Sequence, residues 1–221
     1  MQKVYTIEVS KLFCFIFMEF APNGTLADYI RRNGPTPEWI ARSMVKRVVK
    51  ALLYLHSRGI AHRDLKLENI LLDKRSNPKL TDFSYSLVCI RDPETGAVQI
   101  SKTFCGSIPY MAPELLTQKP YDPKKADIWS LGICIFILMN DRIPFDPGDV
   151  AKMIKAQLNK EFEFRKKIEA IVTDECKDFI RKMLEPLPKV RPSCEELNEH
   201  RWFTIERNGS NKPNVLISRI D

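Results

Sequence analysis

The sequence has few of the residues that build metal centres or disulfide frameworks. Its six cysteines and three histidines are scattered through 221 residues, with no C-x-x-C pair and no histidine at zinc-ligand spacing from a cysteine. Glycine is also scarce, at eight residues, and no G-x-G-x-x-G loop occurs. These absences argue against a zinc module and a disulfide-stapled secreted domain. They predict reduced, mostly packed thiols in a cytoplasmic or nuclear protein.

Long hydrophobic runs are absent as well. The two apolar runs, Leu12–Met18 and Leu131–Met139, are short, whereas a helix that crosses a bilayer needs roughly 20 apolar residues. The first run has no small-residue cleavage site and is followed at once by Glu19, which argues against a signal peptide. We therefore expect both runs to be buried elements of a soluble fold, with no membrane partner.

The composition is that of an ordinary globular protein, with 44% hydrophobic and 29% charged residues. The formal net charge of +7 gives a mildly basic surface. No stretch interleaves dense Lys and Arg with aromatic residues, so we expect a solvated basic face and no nucleic-acid partner.

Hydrophobic periodicity and turn residues divide the chain into elements. Two strands, Val4–Glu8 and Leu12–Met18, are predicted before the turn residues Ala21–Gly24, which suit a hinge. The best-marked helix is predicted to begin after Thr36 as its N-cap and to end at Gly59. Its apolar stripe consists of Ile40, Met44, Val48, Ala51, Leu52 and Leu55.

The remaining predicted elements are short strands and helices around one long loop. That loop runs from Ser84 to about Pro113, and a polar tail begins at Glu206. The elements are a helix at Thr25–Arg32, strands at Ile70–Asp73 and Lys79–Phe83, and helices at Ala126–Asn140, Val150–Gln157, Asp174–Leu184 and Cys194–His200.

The segment His62–Asn69, H-R-D-L-K-L-E-N, carries a set of groups suited to phosphoryl transfer. Asp64 supplies a carboxylate that can accept the proton of an attacking hydroxyl. Lys66 supplies a cation for the γ-phosphate, and Asn69 an amide oxygen for Mg²⁺. A loop lets such closely spaced side chains converge on one reacting centre.

Five motifs in order resemble those of eukaryotic protein kinases. His62–Asn69 is similar to the catalytic loop, and Thr81–Ser84 stands in the place of the magnesium-binding D-F-G. Ala112–Glu114 matches A-P-E, Asp127–Gly132 matches the start of the central buried helix, and Arg191 matches the late arginine. The resemblance covers the chain from about Phe13 to Trp202.

This resemblance implies an α+β protein-kinase-like fold: a mainly α-helical C-terminal lobe with only a two-stranded remnant of the N-terminal sheet. The implied divisions are residues 1–21 for the remnant and hinge, 22–203 for the C-terminal lobe and 204–221 for the tail. The implied activity is transfer of the ATP γ-phosphoryl group to Ser or Thr hydroxyls of protein substrates. ATP and Mg²⁺ are the implied cofactors.

The resemblance also implies residue roles. Asp64 and Lys66 would be catalytic, and Asn69 and Asp82 would hold Mg²⁺. Around the adenine, Met18 would be the gatekeeper residue, Glu19 and Ala21 would offer hinge backbone groups, and Leu71 would form the floor. Glu114 and Arg191 would form a buried ion pair, and Asp127 would have a structural role.

Lys66 resembles the serine/threonine branch of the kinases. Ser101–Ser107 resembles the calcium/calmodulin-kinase-like group, in which Thr103 would be phosphorylated by an upstream activating kinase and Arg63 would bind the phosphate. An unmodified Thr103 remains an open alternative. Asp82–Ser86 and Asp174–Asp178 look most like the testis-specific serine/threonine kinases, in which Ser is the usual residue at position 84.

The sequence departs from the kinase pattern before residue 4. It contains no glycine-rich loop, no V-A-I-K lysine and no helix with the partner glutamate. We therefore expect an N-terminally incomplete kinase, weak or no ATP binding by the chain as it stands, and a hairpin with an uncovered aromatic face. The alternatives are a pseudokinase used for binding or regulation and, less well supported, a small-molecule phosphotransferase.

Overall fold

The computed structural model describes residues 1–89 and 100–205. Within these ranges a hairpin precedes a mainly helical body, which confirms the predicted α+β class. The strands are β1 (Val4–Val9), β2 (Cys14–Met18), β3 (Ile60–Ala61), β4 (Ile70–Leu72), β5 (Pro78–Leu80) and β6 (Leu87–Val88). The α-helices are α1 (Leu26–Asn33), α2 (Glu38–Ser57), α3 (Pro113–Leu116), α4 (Pro123–Asn140), α5 (Val150–Leu158), α6 (Lys166–Glu169), α7 (Asp174–Met183) and α8 (Cys194–Asn198). The predicted divisions at residues 21 and 203 stay predictions, and the tail from Glu206 lies outside the described residues.

The antiparallel hairpin of β1 and β2 is exposed on both faces. Every residue of both strands is exposed, and Leu12, before β2, is 83% exposed. The prediction that the run Leu12–Met18 is buried is therefore wrong, whereas the uncovered aromatic face was expected. The physical reason is that each strand pairs only with the other, so no layer of the described chain covers either face.

Helix α2 follows its predicted apolar stripe but begins differently. Met44, Val48, Leu52 and Leu55 are buried. Pro37 holds the N-cap position without a side-chain cap, so the prediction of Thr36 as N-cap is wrong. The Thr36 N–H instead donates to the Leu138 carbonyl at 2.9 Å, which anchors this segment to α4.

Helix α4 is buried along almost its whole length, because apolar residues lie on all of its faces. It packs against α2 and α7. Gly132 allows the close approach to α7, because a Cβ atom there would lie 2.9 Å from atoms of both Met183 and Leu184. The second apolar run, Leu131–Met139, is thus buried in the core as predicted.

Two short strand pairs flank the segments His62–Asn69 and Thr81–Ser84, which carry two of the motifs. β4 pairs with β5, and β3 pairs with β6. The strand predicted at Lys79–Phe83 ends at Leu80, since Asp82 adopts a positive φ of 60° that ends the extended backbone. The loop predicted from Ser84 to Pro113 contains β6 and a 3₁₀ turn at Ile108–Tyr110; its residues 90–99 lie outside the described ranges.

All six cysteines are free thiols, and four of them are buried, which agrees with the expectation of packed, unpaired cysteines. Among the described residues, no helix combines the length and apolar character that a membrane crossing requires.

Candidate active site

Asp127, in the first turns of α4, fixes the catalytic loop. Its Oδ2 accepts hydrogen bonds from the His62 N–H at 2.8 Å and lies 2.9 Å from His56 Nε2. Its Oδ1 accepts from the Arg63 N–H at 2.8 Å. Asp127 is 1% exposed, so these donors compensate for burying its carboxylate. They also hold Arg63 at a positive φ of 67°, just before Asp64.

The structure brings three of the predicted site residues together. Lys66 Nζ donates to Asp64 Oδ2 at 2.8 Å, and Asn69 Nδ2 donates to the same oxygen at 3.0 Å. Asn69 Nδ2 also donates to the Asp64 carbonyl at 2.9 Å. The hydrogen bond to Asp64 raises the pKa of the Lys66 ammonium. The Asp64 carboxylate thus favours the charged form of the Lys66 amine beside it.

Ser107, from the segment before α3, also contacts this cluster. Its hydroxyl donates to Asp64 Oδ1 at 3.3 Å and accepts from Lys66 Nζ at 3.2 Å. The cluster thus contains a hydroxyl oxygen within hydrogen-bond range of both the Asp64 carboxylate and the Lys66 ammonium. A substrate hydroxyl needs the same two neighbours for its oxygen.

Asp82 lies on the adjoining loop, after β5. Its Oδ1 accepts from the Ser84 hydroxyl at 2.6 Å and from the Ser84 N–H at 3.3 Å. The Ser84 hydroxyl bond lowers the pKa of Asp82, and the nearby His62 and Lys66 act in the same direction. Asp82 is therefore held ionised, as a metal ligand must be.

The donor set fits Mg²⁺ bound together with phosphate oxygens. Among the described residues, no three His, Cys, Asp or Glu side chains come together as a metal cage. Mg²⁺ is usually held by one or two carboxylates plus substrate phosphates, so a cage is not required. Because Asn69 uses Nδ2 to donate to Asp64, its Oδ1 is the amide atom left to bind a metal.

The predicted hinge residues lie beside the predicted floor. Leu71, in β4, forms an antiparallel bridge with Thr25, and the Gly24 N–H donates to the Ala21 carbonyl at 3.3 Å. Glu19 forms an ion pair with Lys79 at 2.6 Å, and this hydrogen bond lowers the pKa of Glu19. The segment from residue 19 to 25 is thereby tied to β4 and β5.

Glu114 and Arg191 form the predicted buried ion pair. Arg191 Nη1 and Nη2 donate to Glu114 Oε1 and Oε2 at 2.8 and 3.1 Å. The guanidinium also donates to the carbonyls of Glu185 and Lys125 at 2.8 and 2.7 Å, and it lies 5.1 Å from the Trp129 ring centroid. The pair joins α3 to the core.

Thr103 is exposed on the segment that leads to α3. Its carbonyl accepts from the Tyr121 hydroxyl at 3.0 Å, while Ser101 and Tyr121 form a two-way backbone pair. The predicted partner, Arg63, donates through Nε to the Tyr85 carbonyl at 2.6 Å. Arg63 and Tyr121 line the same cavity, so both Arg63 and Thr103 lie near Tyr121.

Comparison with known proteins agrees with this geometry. Residues 2–203 match the family described as protein kinase domain.

The chain belongs to the protein kinase family.

Its similar relatives are serine/threonine kinases. The chain is 41% identical over 202 residues to mouse testis-specific serine/threonine-protein kinase 2, covering 91% of this chain and 56% of that protein. It is 40% identical over 218 residues to human testis-specific serine/threonine-protein kinase 1, covering 98% and 58%. It is 42% identical over 191 residues to serine/threonine-protein kinase kin-29 of Caenorhabditis elegans, covering 86% and 22%. This kinase chain thus spans a little over half the length of the two testis-specific relatives.

Sequence reasoning missed the roles of three residues in this kinase. Ser107 lay within a quoted motif, but its contact with Asp64 spans 43 positions of the chain. His62 accepts from the Asp64 N–H at 3.3 Å, and its Nε2 lies 3.0 Å from the Thr81 carbonyl. The contacts of Gln2 with Glu19 and Thr81 carried no sequence signal.

Proposed function

We propose that this chain carries the catalytic residues of a protein serine/threonine kinase, which transfers the ATP γ-phosphoryl group to Ser and Thr hydroxyls of protein substrates. The observation that carries the proposal is the convergence of Lys66, Asn69 and Ser107 on the Asp64 carboxylate. The intact cluster disfavours the alternative of a binding module without catalysis.

Each residue has a step to perform. Asp64 orients the substrate hydroxyl and accepts its proton, while Lys66 offsets negative charge on the transferring group. Asn69 and Asp82 would hold Mg²⁺, which neutralises charge on the β- and γ-phosphates when bound. Leu71 and the backbone groups of Glu19 and Ala21 would receive the adenine.

The test is transfer of radiolabel from γ-labelled ATP to a peptide library, at millimolar Mg·ATP and over long incubation. We expect slow incorporation, with phosphoserine and phosphothreonine on hydrolysis. Incorporation into tyrosine alone, or incorporation no faster than in a protein-free control, would contradict the proposal.

The proposal includes regulation at Thr103, by an upstream kinase that phosphorylates this exposed residue. A phosphate there could form charge-assisted hydrogen bonds with Arg63. Arg63 lines the same cavity as Tyr121, whose hydroxyl donates to the Thr103 carbonyl. After treatment with an activating kinase, Thr103→Ala should transfer phosphate about tenfold more slowly than the unsubstituted chain.

The control for this comparison is Thr204→Ala, at another exposed threonine, which should keep the full rate. Mass spectrometry should locate the phosphate on Thr103. If purified Thr103→Ala keeps unchanged activity, Thr103 is an unmodified loop residue.

A further inference from the structure

The side chain of Gln2 connects the hinge to the loop that carries Asp82. Its Nε2 donates to the Glu19 carbonyl at 2.6 Å, and its Oε1 accepts from the Thr81 hydroxyl at 2.5 Å. Thr81 directly precedes Asp82. The Gln2 carboxamide therefore donates a hydrogen bond to Glu19, in the proposed adenine site. It also accepts one from Thr81, the residue before the proposed metal ligand Asp82.

Both hinge groups of Glu19 are already in use. The N–H donates to the Lys3 carbonyl at 2.8 Å in continuation of the hairpin, and the carbonyl accepts from Gln2. At 2.6 Å this second bond is shorter than the usual N–H···O distance of about 2.7–3.2 Å. A base that donates to the Glu19 carbonyl must share this acceptor with Gln2 or displace the carboxamide from it.

The backbone of Gln2 holds the carboxamide in this position. The Gln2 N–H donates to the Leu80 carbonyl at 2.9 Å. On the other side of Glu19, the ion pair with Lys79 fixes the hinge to β5. Both partners of the Gln2–Glu19 contact are therefore tied to β5, which favours a stable contact over a transient one.

We propose that Gln2 controls nucleotide affinity, because its carboxamide occupies the Glu19 carbonyl that an adenine amino group would use. The proposal rests on the proposed function, which assigns Glu19 to the adenine. The Gln2–Glu19 contact is thus a reason to expect weak ATP binding that does not depend on any other part of the nucleotide site.

The experiment compares adenosine binding by the unsubstituted chain and by Gln2→Leu, using calorimetry at millimolar ligand. Leucine keeps a similar volume but removes both hydrogen bonds, so adenosine affinity should rise about 3- to 10-fold. Purine riboside, which lacks the 6-amino donor, should gain less. Gln118→Leu, at an exposed glutamine, is the matched control and should leave both affinities unchanged.

Two outcomes overturn the proposal. If Gln2→Leu and the unsubstituted chain bind adenosine with equal affinity, Gln2 does not limit adenosine binding and the proposal is wrong. The proposed function still stands in that case, provided that both proteins bind adenosine and transfer phosphate. If neither binds adenosine and neither transfers phosphate, the proposed function fails as well.

A measurement on the unsubstituted chain covers the case in which Gln2→Leu does not fold. The Gln2 side-chain amide protons should exchange slowly with solvent by NMR and should become faster when adenosine is added. Fast exchange in the free protein would show that the contact with Glu19 is not maintained, which overturns the proposal.

Discussion

Replacing Arg191 with alanine should lower the free energy of unfolding by about 3–5 kcal/mol, because it leaves the buried Glu114 carboxylate without its partner. The Arg191 side chain is 0% exposed and that of Glu114 is 8% exposed. The substitution also removes the donors to the carbonyls of Glu185 and Lys125. Equilibrium denaturation by urea, monitored by circular dichroism, measures the effect.

Two further variants separate burial from charge. Arg201→Ala removes an exposed arginine that lies 3.6 Å from Glu175, and it should cost no more than about 1 kcal/mol. Arg191→Lys keeps the charge but loses the two-pronged contact with Glu114, so it should fall between the two alanine variants. A loss below about 1 kcal/mol in Arg191→Ala would refute the structural importance of this pair.

The helices could be predicted from sequence because local periodicity determines which face is buried. The stripe of α2 and the all-round apolar pattern of α4 both correspond to buried residues. The same logic failed for Leu12–Met18, where an apolar run is exposed. Burial of a strand depends on which elements cover it, and that information is not local. The prediction of Thr36 as the N-cap of α2 was wrong for the same reason, because the Thr36 N–H donates to the Leu138 carbonyl of α4, which is distant in sequence.

The candidate site was predictable wherever one short motif contains the interacting residues. Asp64, Lys66 and Asn69 lie within six positions and meet in the structure. Ser107 reaches Asp64 from 43 positions away and Gln2 reaches Thr81 from 79 positions away. Such contacts arise from the packing of separate elements, so composition and spacing do not reveal them.

Asp64→Asn should abolish detectable phosphoryl transfer, a loss of at least about 10²–10⁴-fold. Asparagine has nearly the same shape as aspartate but cannot accept the proton of the substrate hydroxyl. Because α4 holds the loop through Asp127, we expect the variant to fold and to bind nucleotide as the unsubstituted chain does. Asp174→Asn, at a carboxylate that is 97% exposed, is the control and should keep the full rate.

The most direct test of the central claim, that Asp64 is the group that activates the hydroxyl, is the single-turnover transfer rate of these proteins at millimolar Mg·ATP. We expect transfer by the unsubstituted chain and by Asp174→Asn, and none above background by folded Asp64→Asn. A retained rate in Asp64→Asn, with normal thermal unfolding, would contradict the assignment of Asp64 and with it the catalytic role of this cluster.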